Sequence, residues 1–301
     1  MWRAEGLCVV LLVLASGGGA CNIERRALPE GEFPLPRVPV VYTRPSADGG
    51  SPERRGGTGE AETALTALAA RTARHALVSH HGHEGVVVAG SNRYSRQKVH
   101  MTLEEYVLGF EALNEALTPT DTPASWNNSS SSSSSSSSAT ERLYLFGDNQ
   151  GPLWESLAEQ YPFPPCQHCQ AAGLATFGLG GRMSGVTFHT HGPGFAEVLH
   201  GRKQWFLYAP DEPGGVPGLG DDVTMEAWAA AHNPPAHTTH IGGEGLYECE
   251  IVPGELLYFP NHWEHGTLNT GDYNVFVSLF LDFSFYVDDD NGDGGVDGGD
   301  L

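Results

Sequence analysis

The sequence predicts an all-β core of sandwich, jelly-roll or barrel type with a few flanking helices. From Leu143 onward, roughly eight short apolar or alternating runs are separated by glycine and proline. Helix-forming composition is confined to two stretches ahead of them, Ala61–Val78 and Leu103–Leu117. The 301 residues suffice for one large all-β domain with trimmings or for two small domains, and no internal repeat divides them.

The chain opens with Arg3, an apolar run from Leu7 to Ala15, and small residues from Ser16 to Ala20. That layout is a cleavable signal peptide over residues 1–20, cut after Ala20. The run is too short to cross a bilayer comfortably and no later segment reaches spanning length, so no transmembrane segment is expected. A lipoprotein acylated at Cys21 fits less well, because leucine is missing three residues before it.

Residues 21–60 read as an N-terminal arm and flexible linker, with glycine, proline, serine and charge concentrated from Arg44 to Gly59. Residues 61–126 form a helical or mixed region packing on the barrel, with Thr102 as N-cap of its second helix. Residues 127–139 hold ten consecutive serines, Ser129–Ser138, which bury no apolar surface and predict a disordered loop. Overlapping sequons make Asn127 and Asn128 glycosylation candidates there.

The barrel is expected over residues 140–286. Its strands are Leu143–Phe146, Ala175–Leu179, Val186–His191, Glu197–His200, Gln204–Tyr208, Tyr247–Ile251, Glu255–Phe259 and Tyr273–Phe283. Residues 287–301 are an acidic, glycine-rich tail. Its Asp289-x-Asn291-x-Asp293-Gly294 run lacks the flanking helices of a calcium loop and reads as disordered.

Removal of the signal peptide leaves Cys21, Cys166, Cys169 and Cys249, an even count suited to disulfides in an oxidising compartment. Three pairings are possible, and Cys21–Cys249 is preferred because it staples the arm to the barrel. Cys166-Gln-His-Cys169 is a lone pair of cysteines, read as a loop disulfide or two free thiols. The net charge of −21 argues against nucleic acid and anionic membranes as partners, although much of it sits in the tail. The compartment expected is the endoplasmic reticulum lumen, with secretion as the alternative.

Two blocks carry the metal chemistry. His189-Thr190-His191 lies in a strand-like run, where side chains two apart share a face and both imidazoles can reach one ion. Gly192-Pro193-Gly194 then turns the chain, leaving the pair at a barrel mouth. Alone, such a pair is common and usually structural. Downstream, however, Gly254, Pro260, His265 and Asn269 follow the spacing of a second cupin motif, with His262 replacing its inner glycine. Together the blocks predict one metal ion between His189, His191 and His265. Glu197 sits slightly beyond the position of a motif carboxylate and is expected inward or at the rim of the next strand. The run His80-His81-Gly82-His83 reads as a solvated loop.

The stretch Phe188–Tyr208, and Gly254–Leu281 with its Leu-Tyr-Phe-Pro and Trp-x-His-x-x-x-Asn patterns, resembles the core of JmjC proteins, and among them a lumenal member. The resemblance covers about Tyr94 to Leu281 plus a short N-terminal block. It implies a double-stranded β-helix holding Fe(II) and 2-oxoglutarate at its mouth, with iron ligands at His189 and His265. The family's carboxylate ligand would fall at His191, where no acid stands. Lys203 matches the lysine that anchors the distal carboxylate of 2-oxoglutarate in related hydroxylases, and Asn269 matches the polar residue behind the last ligand. The plainer reading of Lys203 is a solvated turn lysine.

Three neutral imidazoles keep the ion's full double charge; iron still binds such a set, and zinc with a water, or no metal at all, are the alternatives. Two functions therefore stand beside each other. One is an Fe(II)- and 2-oxoglutarate-dependent oxygenase hydroxylating a protein substrate. The other is an inactive barrel acting through partners in folding or signalling.

Overall fold

The computed structural model describes residues 21–45, 58–90, 98–115, 142–147, 151–167, 169, 173–210, 215–220, 223–231 and 245–281. The signal peptide, Asn127, Asn128, the serine tract and the acidic tail lie outside the described residues.

Two facing sheets form the barrel. The larger runs in the order β1 (Glu24–Ala27), β2 (Val40–Thr43), β11 (Glu255–Phe259), β8 (Gly194–His200), β13 (Tyr273–Leu281), β6 (Gly173–Gly181). The smaller runs β10 (Tyr247–Ile251), β9 (Lys203–Tyr208), β12 (Glu264–Asn269), β7 (Gly185–His189). From β6 to β9, and again from β10 to β13, each strand crosses to the opposite sheet. The result is a jelly roll of the double-stranded β-helix kind.

Alternation along the strands separates two cores. Ala196 and Val198 of β8, Trp205 and Leu207 of β9, Leu257 of β11 and Phe276 of β13 meet inside the barrel. Val275 and Val277 of β13 point outward and pack under α1 (Thr58–Thr72), α2 (Arg74–His81) and α3 (Leu103–Glu115) through Leu68, Leu77 and Phe110. With both faces buried, β13 reads in sequence as a nearly continuous apolar run. Its neighbour β6 carries Gly178 opposite Phe276, where a Cβ would collide with the ring.

A small third sheet, β4 (Lys98–Thr102), β3 (Gly85–Gly90), β5 (Leu143–Tyr144), flanks the helices, and α4 (Pro152–Ala158) packs against β6. On the outer face of the smaller sheet, α5 (Met225–Ala231) lays Met225 and Trp228 over Phe188, Phe206 and Leu268.

The expected first helix is divided, because Ala73 takes an extended backbone (φ −58°, ψ 138°) between α1 and α2. The expected start of α3 is a capping box. The Glu105 N–H donates to Thr102 Oγ1 at 3.2 Å, and the Thr102 N–H donates to Glu105 Oε2 at 2.9 Å. His80 and His81 end α2 instead of lying in a loop.

The strand β12 escaped the sequence reading because its inward positions, His265, Thr267 and Asn269, are polar and leave no apolar alternation. The strands β1 to β4 were missed too, and β1 is exposed throughout and held by parallel pairing to β2.

Cys21 and Cys249 are joined as preferred, with Cα atoms 4.1 Å apart, and Cys166 is joined to Cys169. Asn22 extends the first staple. Its N–H donates to Glu248 O at 3.0 Å, and its Oδ1 accepts from the Glu248 N–H at 2.8 Å. No helix among the described residues is long and apolar enough to cross a membrane.

Candidate metal centre

A register shift in the smaller sheet aims the site. His189 pairs with His265, yet Val186 pairs with Thr267, so three steps along β7 oppose two along β12. This bulge turns Phe188 outward into the α5 cluster and His189 inward. The strand ends there. His191 is therefore not the second alternate residue of a strand, as the sequence suggested, but reaches the site from the turn that leads into β8. Its carbonyl accepts the His262 N–H at 3.2 Å, which ties the turn to the segment ahead of β12.

The three imidazoles converge, with one ligand atom from each lying within 4.8 Å of the others. Ring centroids are 4.3 Å apart for His189 and His265, and 4.6 Å apart for His191 and His265. Each Nδ1 lies 2.8 Å from a backbone carbonyl: Thr187 O for His189, Gly192 O for His191, Trp263 O for His265. A carbonyl only accepts, so each Nδ1 carries the proton and each Nε2 keeps its lone pair.

His191 Nε2 and His265 Nε2 face each other at 3.1 Å. Two acceptors at that distance suit a shared cation. Two nitrogens each about 2.1 Å from one ion and near a right angle apart would be separated by about 3 Å. Burial, followed by the neighbouring His189 and His191 charges, holds the His265 imidazole well below its ordinary pKa, and burial lowers that of His191. Phe259 packs 4.6 Å from the His265 ring and Phe280 packs 5.0 Å from His191, giving the trio apolar walls. The donor set fits a divalent metal.

No carboxylate joins this group among the described residues. Glu197 lies on β8 as expected but faces outward, not into the barrel or its rim. There Arg44 Nε and Nη2 donate to its two carboxylate oxygens at 2.7 and 2.8 Å, and Tyr161 OH donates at 2.7 Å. Both charged side chains are nearly inaccessible, at 9% and 1% exposure. Glu197→Leu therefore leaves the Arg44 charge buried alone and is expected to cost about 3–5 kcal/mol. Urea unfolding checks this, and the double change Arg44→Met with Glu197→Leu should recover most of the loss.

Lys203 opens β9 and is buried at 2% exposure, so it is not a solvated turn residue. Its Nζ donates to Tyr144 OH at 2.9 Å and lies 3.9 Å from the centroid of the Phe276 ring. Burial pulls its pKa down to about 7. Asn269 is its cross-strand partner. The Asn269 Nδ2 donates to Ser184 Oγ at 3.0 Å, while its Oδ1 and the Trp205 Nε1 are buried with no partner among the described residues. The interior thus holds an amine with no carboxylate partner among the described residues and, in Trp205 Nε1, an unsatisfied donor, a pair that suits a small carboxylate ligand. Sequence reading missed Tyr144 and Trp205 as members of this set, since an aromatic residue in a strand looks like core.

His262 adopts φ +58°, the left-handed conformation that glycine takes without strain. The turn survives although the glycine expected by the motif is absent. His262→Gly is expected to stabilise the protein by about 1 kcal/mol, visible as a raised Tm, with metal binding kept.

A double-stranded β-helix with imidazoles converging from β7, the turn after it and β12 defines a JmjC-type barrel with a candidate metal site. No protein-family model matches the chain. Mouse JmjC domain-containing protein 8 is 34% identical over 281 residues, spanning 93% of this chain and 88% of the mouse protein. The rat protein of that name is 38% identical over 208 residues, 69% of this chain and 67% of its own. The human one is 38% identical over 210 residues, 69% of each chain. This chain belongs to the JmjC domain-containing protein 8 family.

Proposed function

We propose that the chain is a lumenal oxygenase of the protein-hydroxylase type, with Fe(II) held by His189, His191 and His265 and 2-oxoglutarate anchored by Lys203. The observation that carries this reading is the pairing of two features in one barrel: three Nε2 lone pairs aimed together, and a buried amine with no carboxylate partner among the described residues. When bound, iron and 2-oxoglutarate supply the oxygen activation needed to hydroxylate a C–H bond. The chain's own residues bind and orient. The three carbonyls fix the imidazole tautomers, Lys203 with Tyr144 OH would receive the distal carboxylate, Asn269 braces β12 through Ser184, and Phe259 and Phe280 exclude water. The signal-like start and the two disulfides support the endoplasmic reticulum lumen, with secretion as the alternative.

A second reading is favoured by His191 itself. A third imidazole in place of the family's carboxylate leaves the ion more positive and alters the set tuned for turnover. The protein would then keep its barrel and metal but act by binding partners. Calorimetry with Mn(II) in place of iron, followed by 2-oxoglutarate, tests the first reading. Saturable binding lost in Lys203→Met is expected, and metal binding without any 2-oxoglutarate binding overturns it. His191→Asp separates the two: succinate formation that appears only in the variant favours the binding protein.

A further inference from the structure

Away from the metal centre, on the outer face of the larger sheet, a groove of about 1220 Å³ runs between the N-terminal arm, α1, the segment around Tyr161 and the turn before β11. Outward-facing Glu197 and Leu199 of β8 lie in its floor, so it does not share the barrel interior with the histidines. Its volume exceeds that of an ordinary small-molecule pocket and leaves room for an extended chain.

The lining is chemically lopsided. Leu28, Leu65, Phe163 and Leu199 supply an apolar floor, while Glu30, Glu60 and Glu159 stand exposed on the rim. Among the described residues, Arg44 is the single basic side chain in the lining, and Glu197 occupies its guanidinium on two oxygens. Glu62, Glu197 and Glu255 have partners of their own, so Glu30, Glu60 and Glu159 are the rim carboxylates left without a cation among the described residues, standing over an oily base. In an extended peptide, alternate side chains point to opposite faces. One face can seat aliphatic groups on the floor while the other offers cations to the rim. From this complementarity we infer that the groove is a docking site for an extended basic segment of a partner protein, with aliphatic and lysine or arginine residues in alternation. The site is independent of the metal reading and stands whether or not the barrel turns over substrate.

Fluorescence anisotropy on the full-length protein with a labelled nonapeptide of alternating lysine and leucine tests the inference. Saturable binding is expected, weakening as salt rises, with none for the glutamate–leucine counterpart. The double reversal Glu60→Lys with Glu159→Lys should weaken binding at least tenfold. Glu104→Lys with Asp272→Lys makes the same charge change away from the groove and should leave binding within twofold. Should the reversal double lose its thermal transition, the milder Glu60→Gln with Glu159→Gln replaces it, with a smaller loss expected. Failure of the unaltered protein to bind, or equal loss in the two reversal doubles, overturns the proposal. So does a dimer in light scattering that the groove reversal dissolves, since a second copy of the chain would then be the occupant.

Discussion

His265→Ala is expected to reduce bound metal from about one ion per chain to background, measured by elemental analysis after equilibration with Fe(II), Mn(II) or Zn(II). It is the one imidazole of the trio on β12, and the other two reach the site from β7 and the following turn, so its loss leaves two imidazoles and no third donor among the described residues. Removing an outer-shell partner of a ligand typically weakens metal binding on the order of 10–100-fold, and removing the ligand itself should exceed that. Retention of stoichiometric metal would sink the three-imidazole centre.

The pH dependence has a definite sign. Metal binding needs neutral imidazoles, and burial holds His191 and His265 below their ordinary pKa. The unfolded chain takes up protons near pH 6.5, while the folded centre refuses them until more acid conditions. Stability of the metal-free protein therefore falls as pH drops below about 6.5. Metal release on acidification should occur at a lower pH than a free histidine would give, which a chromogenic chelator can follow.

Lys203→Met is expected to make the protein more stable at pH 7, by several kcal/mol. Burial lowers the amine from 10.5 to about 7. That lowering corresponds to a penalty of roughly 5 kcal/mol on the charged form. Between about pH 7 and 10.5 the unfolded chain holds a proton that the folded amine has shed, so wild-type stability rises with pH across that window. Below about pH 7 the full penalty applies. The advantage of the methionine variant should therefore be largest at neutral pH and fade toward pH 10, as read from urea midpoints. A variant less stable than wild type at pH 7 would mean that the Tyr144 hydrogen bond and the Phe276 ring face outweigh burial. A lysine kept inside a barrel at such a cost is best understood through a ligand carboxylate that offsets it.

The barrel strands were legible where apolar residues alternate or run continuously, as in β9, β11 and β13. They were illegible where function displaces apolar side chains. The interior of β12 is His265, Thr267 and Asn269, a strand in which every inward position is polar. The His-x-His pair and the spaced block ending at Asn269 picked out all three imidazoles that the fold brings together, because motif spacing survives without hydrophobic periodicity. What spacing did not contain was direction. Glu197 lies six residues beyond His191, near enough in sequence to be weighed as a ligand, but strand alternation turns it to the outer face and into a bond with Arg44, a residue 153 positions away.

The amino-acid sequence by itself determined the class of this protein: an all-β barrel with an imidazole trio and an out-of-place histidine where an acid is expected, while the disulfide from the arm to the barrel was one of three possible pairings until the fold placed Cys21 against Cys249. Tertiary structure alone decided how the trio closes. A bulge in β7 turns His189 inward, a turn rather than a strand delivers His191, and three backbone carbonyls hold the Nδ1 protons so that the Nε2 lone pairs converge. It also decided that Lys203 is buried beside Tyr144 and Phe276. The physical reason is that pattern and spacing are properties of the chain read in order. Facing direction, burial and the partner of each polar atom depend on segments far apart in sequence that meet only when the sheets close.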